Sequence, residues 1–157
     1  MVADVTIRKA TVDDLPALLP LFRDYQAHHG ALTTASEEHT REFLRSHLQD
    51  GERGFVLVAI SGGGLVGFAG VYLTASGLIA ERIAHLGDLF VVSEQRRKGI
   101  ATHLFEAVSR ESAERGISLV RWLSLEANSK LNEWYGRLVP PAGTFQLFLR
   151  PTGARRA

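Results

Sequence analysis

The chain has 157 residues, 45% of them hydrophobic and 22% charged, with no cysteine and 18 Lys+Arg set against 17 Asp+Glu. That length fits one domain over residues 1–157, able to bury roughly 68–70% of the surface its unfolded chain exposes, so no disulfide or metal staple is needed. Without cysteine there is no thiolate zinc site, iron–sulfur ligation or cysteine nucleophile, and a formal charge of +1 argues against the broad basic field of a nonspecific nucleic-acid binder.

The start, Met1 to Arg8, alternates polar and apolar residues and carries Asp4, which is not the pattern of a signal peptide. No stretch approaches the ~18–20 uninterrupted apolar residues of a membrane span, since Val56 to Leu73 is broken by Ser61 and a glycine run. A soluble, cytoplasmic protein is expected.

Val5 to Ala10 reads as a strand, and Thr11 followed three residues on by Asp14 marks a helix start. Leu15, Leu18, Leu19 and Phe22 then share one helical face, with Pro20 expected to bend the helix. Ser36 caps a second helix on which Phe43, Leu44, His47 and Leu48 share a face and Gly51 supplies a left-handed stop. The loop between them, His28 to Ala35, is the most irregular part.

Phe55 to Ile60 and Leu65 to Leu73 read as an antiparallel hairpin about Gly62, Gly63 and Gly64. A phosphate loop would need a Lys-Ser/Thr pair opening a helix after the glycines, and Leu65 to Phe68 supplies neither. A further strand, Ile83 to Val92, leads through the basic stretch Ser93 to Ala101 into a helix striped by Ile100, Ala101, Leu104, Phe105 and Val108, ending near Gly116. Ser118 to Leu125 reads as a strand, Asn128 to Leu138 as a helix with Leu131, Trp134, Tyr135 and Leu138 on one side, and Thr144 to Leu149 as a last strand before a frayed tail through Arg155 and Arg156. The order predicts one α/β domain with mixed strand directions.

A strand-to-helix turn with glycine is a ready anion site, because a helix start leaves backbone N–H groups unpaired at the positive end of its dipole. Gly99 and the small Ala101 let a ligand approach that backbone, and Arg96, Arg97 and Lys98 add cationic donors, a combination suited to a pyrophosphate. The plain alternative is a solvated basic helix start. His28, His29, His39 and His47 show no converging ligand spacing with a carboxylate, so surface histidines and no metal site are expected.

The segment His85 to Phe105 resembles the central motif of the GNAT superfamily of N-acetyltransferases, in which a strand leads into Arg/Gln-x-x-Gly-x-Gly/Ala and a helix. Arg96, Gly99 and Ala101 stand at those positions, and the order of elements resembles the family over most of the chain. The resemblance implies a mixed, mostly antiparallel central sheet with splayed central strands and flanking helices. It also implies acetyl-CoA as cosubstrate, its pyrophosphate held at Arg96 and by N–H groups from Arg97, Lys98, Gly99, Ile100, Ala101 and Thr102. The pantetheine arm would lie along Leu89, Phe90 and Val91 and meet Asn128, while Tyr135 matches the usual general acid.

By the same resemblance, the region His28 to Ser36 corresponds to a substrate-facing loop, so Tyr25 and His29 are expected to touch the acceptor. Asp88 to Val91, Trp122 and Tyr135 look most like the branch of diamine and small histone or polyamine acetyltransferases. Two departures stand out. Gly87 occupies the place where the diamine enzymes often carry Glu, and Arg137 to Pro141 replaces a Gly-Phe or Gly-Ala corner, altering the substrate wall and dimer edge.

Acetyl transfer to an amine needs a neutral nucleophile, a stabilised oxyanion and a proton for the leaving thiolate. Without cysteine, direct attack in a ternary complex is preferred to an acyl-enzyme. Tyr135, with a reference pKa near ~10, holds a proton at neutral pH, and a backbone N–H near Phe90 or Val91 meets the oxyanion. Asp88, Glu126, His85 and an ordered water chain are the alternatives for the base, with His85 also placed to meet substrate. Strand alternation puts Asp88 and Phe90 on one face and Gly87 and Leu89 on the other unless a bulge intervenes.

The expected function is acetyl transfer to a small primary amine such as a polyamine, diamine or amino-acid-like compound. The alternatives are a protein Lys or N-terminal acetyltransferase and a non-catalytic acetyl-CoA sensor. A nucleic-acid binder using Arg96, Arg97, Lys98, Arg155 and Arg156 is disfavoured by the near-zero charge and the absence of interleaved aromatics. A homodimer is plausible by family resemblance.

Overall fold

The computed structural model describes residues 4–30 and 35–154. The first three residues, part of the expected His28–Ala35 loop, and Arg155 and Arg156 lie outside them. The chain divides into two compact units, Met1–Trp122 and Leu123–Ala157.

In the first unit five strands lie in sequence order: β1 (Val5–Lys9), β2 (Gly54–Ser61), β3 (Gly64–Ser76), β4 (Glu81–Val91) and β5 (Val120–Arg121). All pairings are antiparallel except β4 with β5, which is parallel, giving the mixed, mostly antiparallel sheet of the expected fold. β2 and β3 turn over Gly62 and Gly63, both at positive φ (58° and 79°), the geometry of a tight two-residue hairpin. The expected strand Ser118 to Leu125 shrinks to Val120–Arg121, paired only with Ala84 and His85, so β4 and β5 share a ladder at one end and part beyond it.

Helix α1 (Leu15–His29) continues through Pro20, and His28 and His29 therefore belong to its last turn rather than to the loop. Its entry is fixed by Asp14, whose carboxylate accepts the Thr11 N–H at 2.7 Å and both Nη groups of Arg8. Helix α2 (Glu37–Gln49) is capped by Ser36, whose hydroxyl accepts the His39 N–H at 3.1 Å. It ends at Asp50 in extended conformation. Gly51 does not supply the expected left-handed stop, and the positive φ of this turn belongs to Gly54 (144°). Helix α3 (Ile100–Glu114) ends at Gly116, φ 74°, as the sequence predicts.

The sheet is buried on both faces. Val56, Val58, Phe68 and Phe90 pack against Leu18, Leu19, Phe22 and Leu44 of α1 and α2. Leu57, Ala69, Leu86 and Val91 pack against Ile100, Leu104 and Val108 of α3. Each fully buried large aliphatic side chain contributes roughly 1.5–3 kcal/mol.

In the second unit α4 (Ser129–Leu138) leaves Leu131, Trp134, Tyr135 and Leu138 half-buried along one side. The expected strand over Thr144 to Leu149 is not formed: residues 139–154 carry no regular element, and Phe145, Leu147, Phe148 and Leu149 are exposed. Apolar residues alone do not make a strand whose backbone groups find no ladder among the described residues.

Candidate active site

Antiparallel pairing of β3 and β4 slips by one residue, with Gly70 opposite Asp88 but Val71 opposite Leu86, so Gly87 is the extra residue of a β-bulge. The bulge reverses the alternation of β4. Ala84 and Leu86 face α3 before it, and Leu89 and Val91 face α3 after it. Asp88 and Phe90 are thereby turned to the other face, toward α1 and α2. They share a face as strand alternation predicts, but the bulge decides which one.

On that face the Asp88 carboxylate takes one tyrosine on each oxygen. Tyr25 of α1 donates to Oδ1 at 2.8 Å, and Tyr72 of β3 donates to Oδ2. Burial, reinforced by the Asp88 charge and this bond, pushes the Tyr72 hydroxyl far above its ordinary value. Tyr25 meets Phe90 at 6.0 Å and His29 at 4.7 Å between ring centroids, and His28 faces Phe90 at 6.5 Å. The structure thus gathers Tyr25, His29, Asp88 and Phe90 on one face.

Tyr72 and His47 were not singled out as site residues by the sequence. His47 was expected at the surface and is instead 4% exposed, its Nε2 3.1 Å from the Val71 carbonyl and its ring 4.8 Å from Tyr72. Burial holds its imidazole below the ordinary histidine range. The fourfold spacing of Phe43 and His47 on α2 was the available signal, read there as a face without a destination. His39 is exposed.

His85 lies opposite Tyr72 and beside Arg121, where β4 leaves β5. Its Nδ1 is buried without a hydrogen-bond partner among the described residues. Desolvation, then the Arg121 charge, lowers its affinity for a proton, while Asp88 opposes both.

β4 leads through a short 3-10 turn, Ser93–Gln95, into the basic stretch. Arg97 (φ 62°) and Gly99 (φ 80°) both sit in the left-handed region, and the first bond of α3 runs from His103 N–H to the Gly99 carbonyl. Left-handed residues entering a helix start turn successive N–H groups toward one point, an anion-binding concavity. A Cβ at Gly99 would meet nothing within 4 Å, so the space above the turn is open. Ile100 sends its side chain into the core and offers only backbone, while Ala101 and Thr102 are half-buried in the first turn. Arg96 is turned inward, its Nε on the Val91 carbonyl at 2.8 Å and its guanidinium 5.5 Å from the Phe90 ring centre, and Lys98 holds Gln95 at 2.9 Å.

Glu126, Asn128 and Tyr135 belong to the second unit. Glu126 is exposed in a turn, and Asn128 stands at the start of α4 without spending its side chain on a cap. Burial raises the Tyr135 hydroxyl above its ordinary value. An open groove between α1 and α2, about 610 Å³, is lined by Arg23, Arg41 and Arg45. Arg41 and Arg45 pair with neighbouring glutamates and Arg23 bonds Gln26 and the Ala35 carbonyl, which leaves that groove without a distinct chemistry. Among the described residues no group of three or more His, Asp or Glu is placed to hold a metal, and no helix is long and apolar enough to cross a membrane.

The profile of the Acetyltransferase (GNAT) family matches residues 17–138. An uncharacterized N-acetyltransferase, YhfO of Bacillus subtilis (strain 168), is 31% identical over 132 residues, 83% of this chain and 86% of that protein. A crystal structure of a probable acetyltransferase superposes with a TM-score of 0.81 at 25% identity, covering 96% of this chain and 99% of that one. The aminoglycoside N-acetyltransferase AAC(6')-Iy in complex with CoA reaches a TM-score of 0.81 at 18% identity over 96% of both chains, a likeness of fold.

Proposed function

The chain belongs to the GNAT acetyltransferase family and is an acetyl-CoA-dependent N-acetyltransferase; we propose that its acceptor is a small primary amine, a polyamine, diamine or amino-acid-like compound. The observation that carries this reading is Asp88, a carboxylate turned by a bulge onto the face where Tyr25, His29 and Phe90 gather, one strand end away from an anion-binding turn. Such a carboxylate attracts an ammonium group and then takes its proton.

In the proposed reaction the amine nitrogen attacks the thioester carbonyl of acetyl-CoA and forms the new C–N bond. Asp88 accepts the proton lost by nitrogen, a backbone N–H near Phe90 or Val91 meets the oxyanion, and the C–S bond breaks as Tyr135 protonates the leaving thiolate. Its raised hydroxyl keeps Tyr135 protonated at neutral pH. Glu126 is the second candidate for the base, and His85, whose Nδ1 finds no partner among the described residues, would touch the acceptor.

N–H groups from Arg97 through Thr102 hold the pyrophosphate, Lys98 and Arg97 add charge, and Arg96 braces the turn against β4. The pantetheine lies along Leu89 to Val91, and Asn128 is carried over as a cofactor residue on the family resemblance alone. The whole chain then works as one acetyltransferase domain. A cytoplasmic location, a homodimer and membership of the diamine and polyamine branch belong to the same reading, on the family resemblance.

The test is thiol release from acetyl-CoA with a thiol-reactive dye across polyamines, amino acids, aminoglycosides and a lysine peptide, which the cysteine-free chain allows without protein background. Release with the small amines is expected. Release only with the peptide supports a protein acceptor instead, and binding of acetyl-CoA without release to any amine supports a sensor.

A further inference from the structure

The two oxygens of Asp88 are not equivalent. Oδ2 is turned into the sheet: it accepts from Tyr72, and a Cβ on Gly70 of the neighbouring strand would sit 2.8 Å from it and 3.3 Å from the Tyr72 hydroxyl. Oδ1 is turned toward α1, where it meets Tyr25. An ionised carboxylate has about four lone-pair directions, so two tyrosine bonds leave it room for an incoming N–H donor.

Tyr72 itself is clamped. Its ring lies between the His47 ring at 4.8 Å and Gly87, where a Cβ would approach it to 2.7 Å, and His47 is tied to the Val71 carbonyl. Two glycines on adjacent strands, Gly70 and Gly87, thus make the space in which one tyrosine reaches one carboxylate oxygen across the bulge.

From this geometry we infer that Tyr72 is a positioning residue of the acceptor site, holding Oδ2 of Asp88 so that Oδ1 is presented to the attacking amine. The inference rests on the reading of Asp88 as the base. A bulge interrupts the ladder around the side chain it re-aims, and a carboxylate that must meet a nitrogen within about 3 Å loses efficiency when it swings. Tyr72 removes that freedom. Burial and the Asp88 charge both favour its protonated hydroxyl, so it stands as a donor to Oδ2.

The experiment compares wild type with Tyr72→Phe, Gly70→Ala and Asp88→Asn, using the panel amine that gives release. Tyr72→Phe keeps the ring and removes only the donor; Gly70→Ala keeps both partners and displaces Oδ2. Each is expected to lower kcat about tenfold or more while leaving the KM for acetyl-CoA and for the amine within about threefold. Little further loss is expected when Tyr72→Phe is added to Asp88→Asn, because the two act as one unit.

A reading independent of the acceptor is the alkaline absorbance titration of the three tyrosines. Asp88→Asn is expected to lower the pH at which its two tyrosine partners, Tyr25 and Tyr72, ionise, and repeating the comparison in the Tyr72→Phe background, where only the Tyr25 part of that change remains, isolates the Tyr72 part. An identical titration overturns the contact whatever the acceptor. Full activity in Tyr72→Phe beside an inactive Asp88→Asn overturns the positioning role alone, whereas full activity in Asp88→Asn removes the base reading and this inference with it.

Discussion

Gly87 lies against the ring of Tyr72, so that a Cβ at position 87 would fall 2.7 Å from Cε2 and 2.8 Å from Cδ2. The absence of a glutamate there, which by family resemblance looks like a lost functional group, is a packing requirement in this chain: any side chain at the bulge collides with the ring that meets Asp88. Gly87→Ala is expected to destabilise the fold by roughly 1–3 kcal/mol through overpacking. Urea unfolding measures it, and a midpoint equal to wild type contradicts the close contact.

Tyr135→Phe removes the proposed acid while keeping the aromatic side of α4. Turnover is expected to fall by about 10²-fold or more, with acetyl-CoA affinity nearly unchanged by calorimetry. Unaltered turnover would assign the thiolate proton to another group.

Gly99→Val acts at the anion turn. Position 99 has φ 80°, which a β-branched residue adopts only with strain, and its added atoms would project into the open space above the turn. The dissociation constant for acetyl-CoA is expected to rise about tenfold, or 1.4 kcal/mol, or more. An unchanged constant contradicts the pyrophosphate assignment.

His47 and His85 both hold their imidazoles below the ordinary value in the fold, chiefly by burial. The unfolded chain therefore takes up protons first as pH falls. Stability is full above about pH 6.5 and is lost below it, by at most about 1.4 kcal/mol per pH unit for His47 and less for the partly exposed, better screened His85. Unfolding free energies measured near pH 7.5 and pH 5.5 check this, roughly one unit to either side of the midpoint. Equal values at the two would show that neither ring is held neutral.

The element order, the hairpin at Gly62 and Gly63, the Ser36 cap and the turn before α3 were legible because each rests on local chemistry: a period, a hydroxyl or a positive φ. The site was legible only in part. A bulge is a property of two paired strands, so the direction of Asp88 depends on Gly70 and Val71, 18 and 17 positions earlier in the sequence. Tyr72 reads as an ordinary strand aromatic and His47 as one polar residue on an amphipathic helix; each gains its meaning only across the sheet. The strand expected at Thr144 to Leu149 failed for the converse reason. Apolar composition signals a tendency to pair, and a tendency without a neighbouring ladder leaves Phe145 and Phe148 in solvent.

The short ladder between β4 and β5 has a cost outside catalysis. Beyond His85 the outer edge of β4 offers its backbone to no other strand among the described residues, and such a row of N–H and C=O groups is a template for other chains. If acetyl-CoA lies along that edge as proposed, it caps it, and at a hundredfold excess over its dissociation constant adds about 2.7 kcal/mol of stability. On that reading the empty enzyme is the colloidally vulnerable form. Light scattering on concentration, with and without CoA, would show the shelf life of this acetyltransferase following the supply of its own donor.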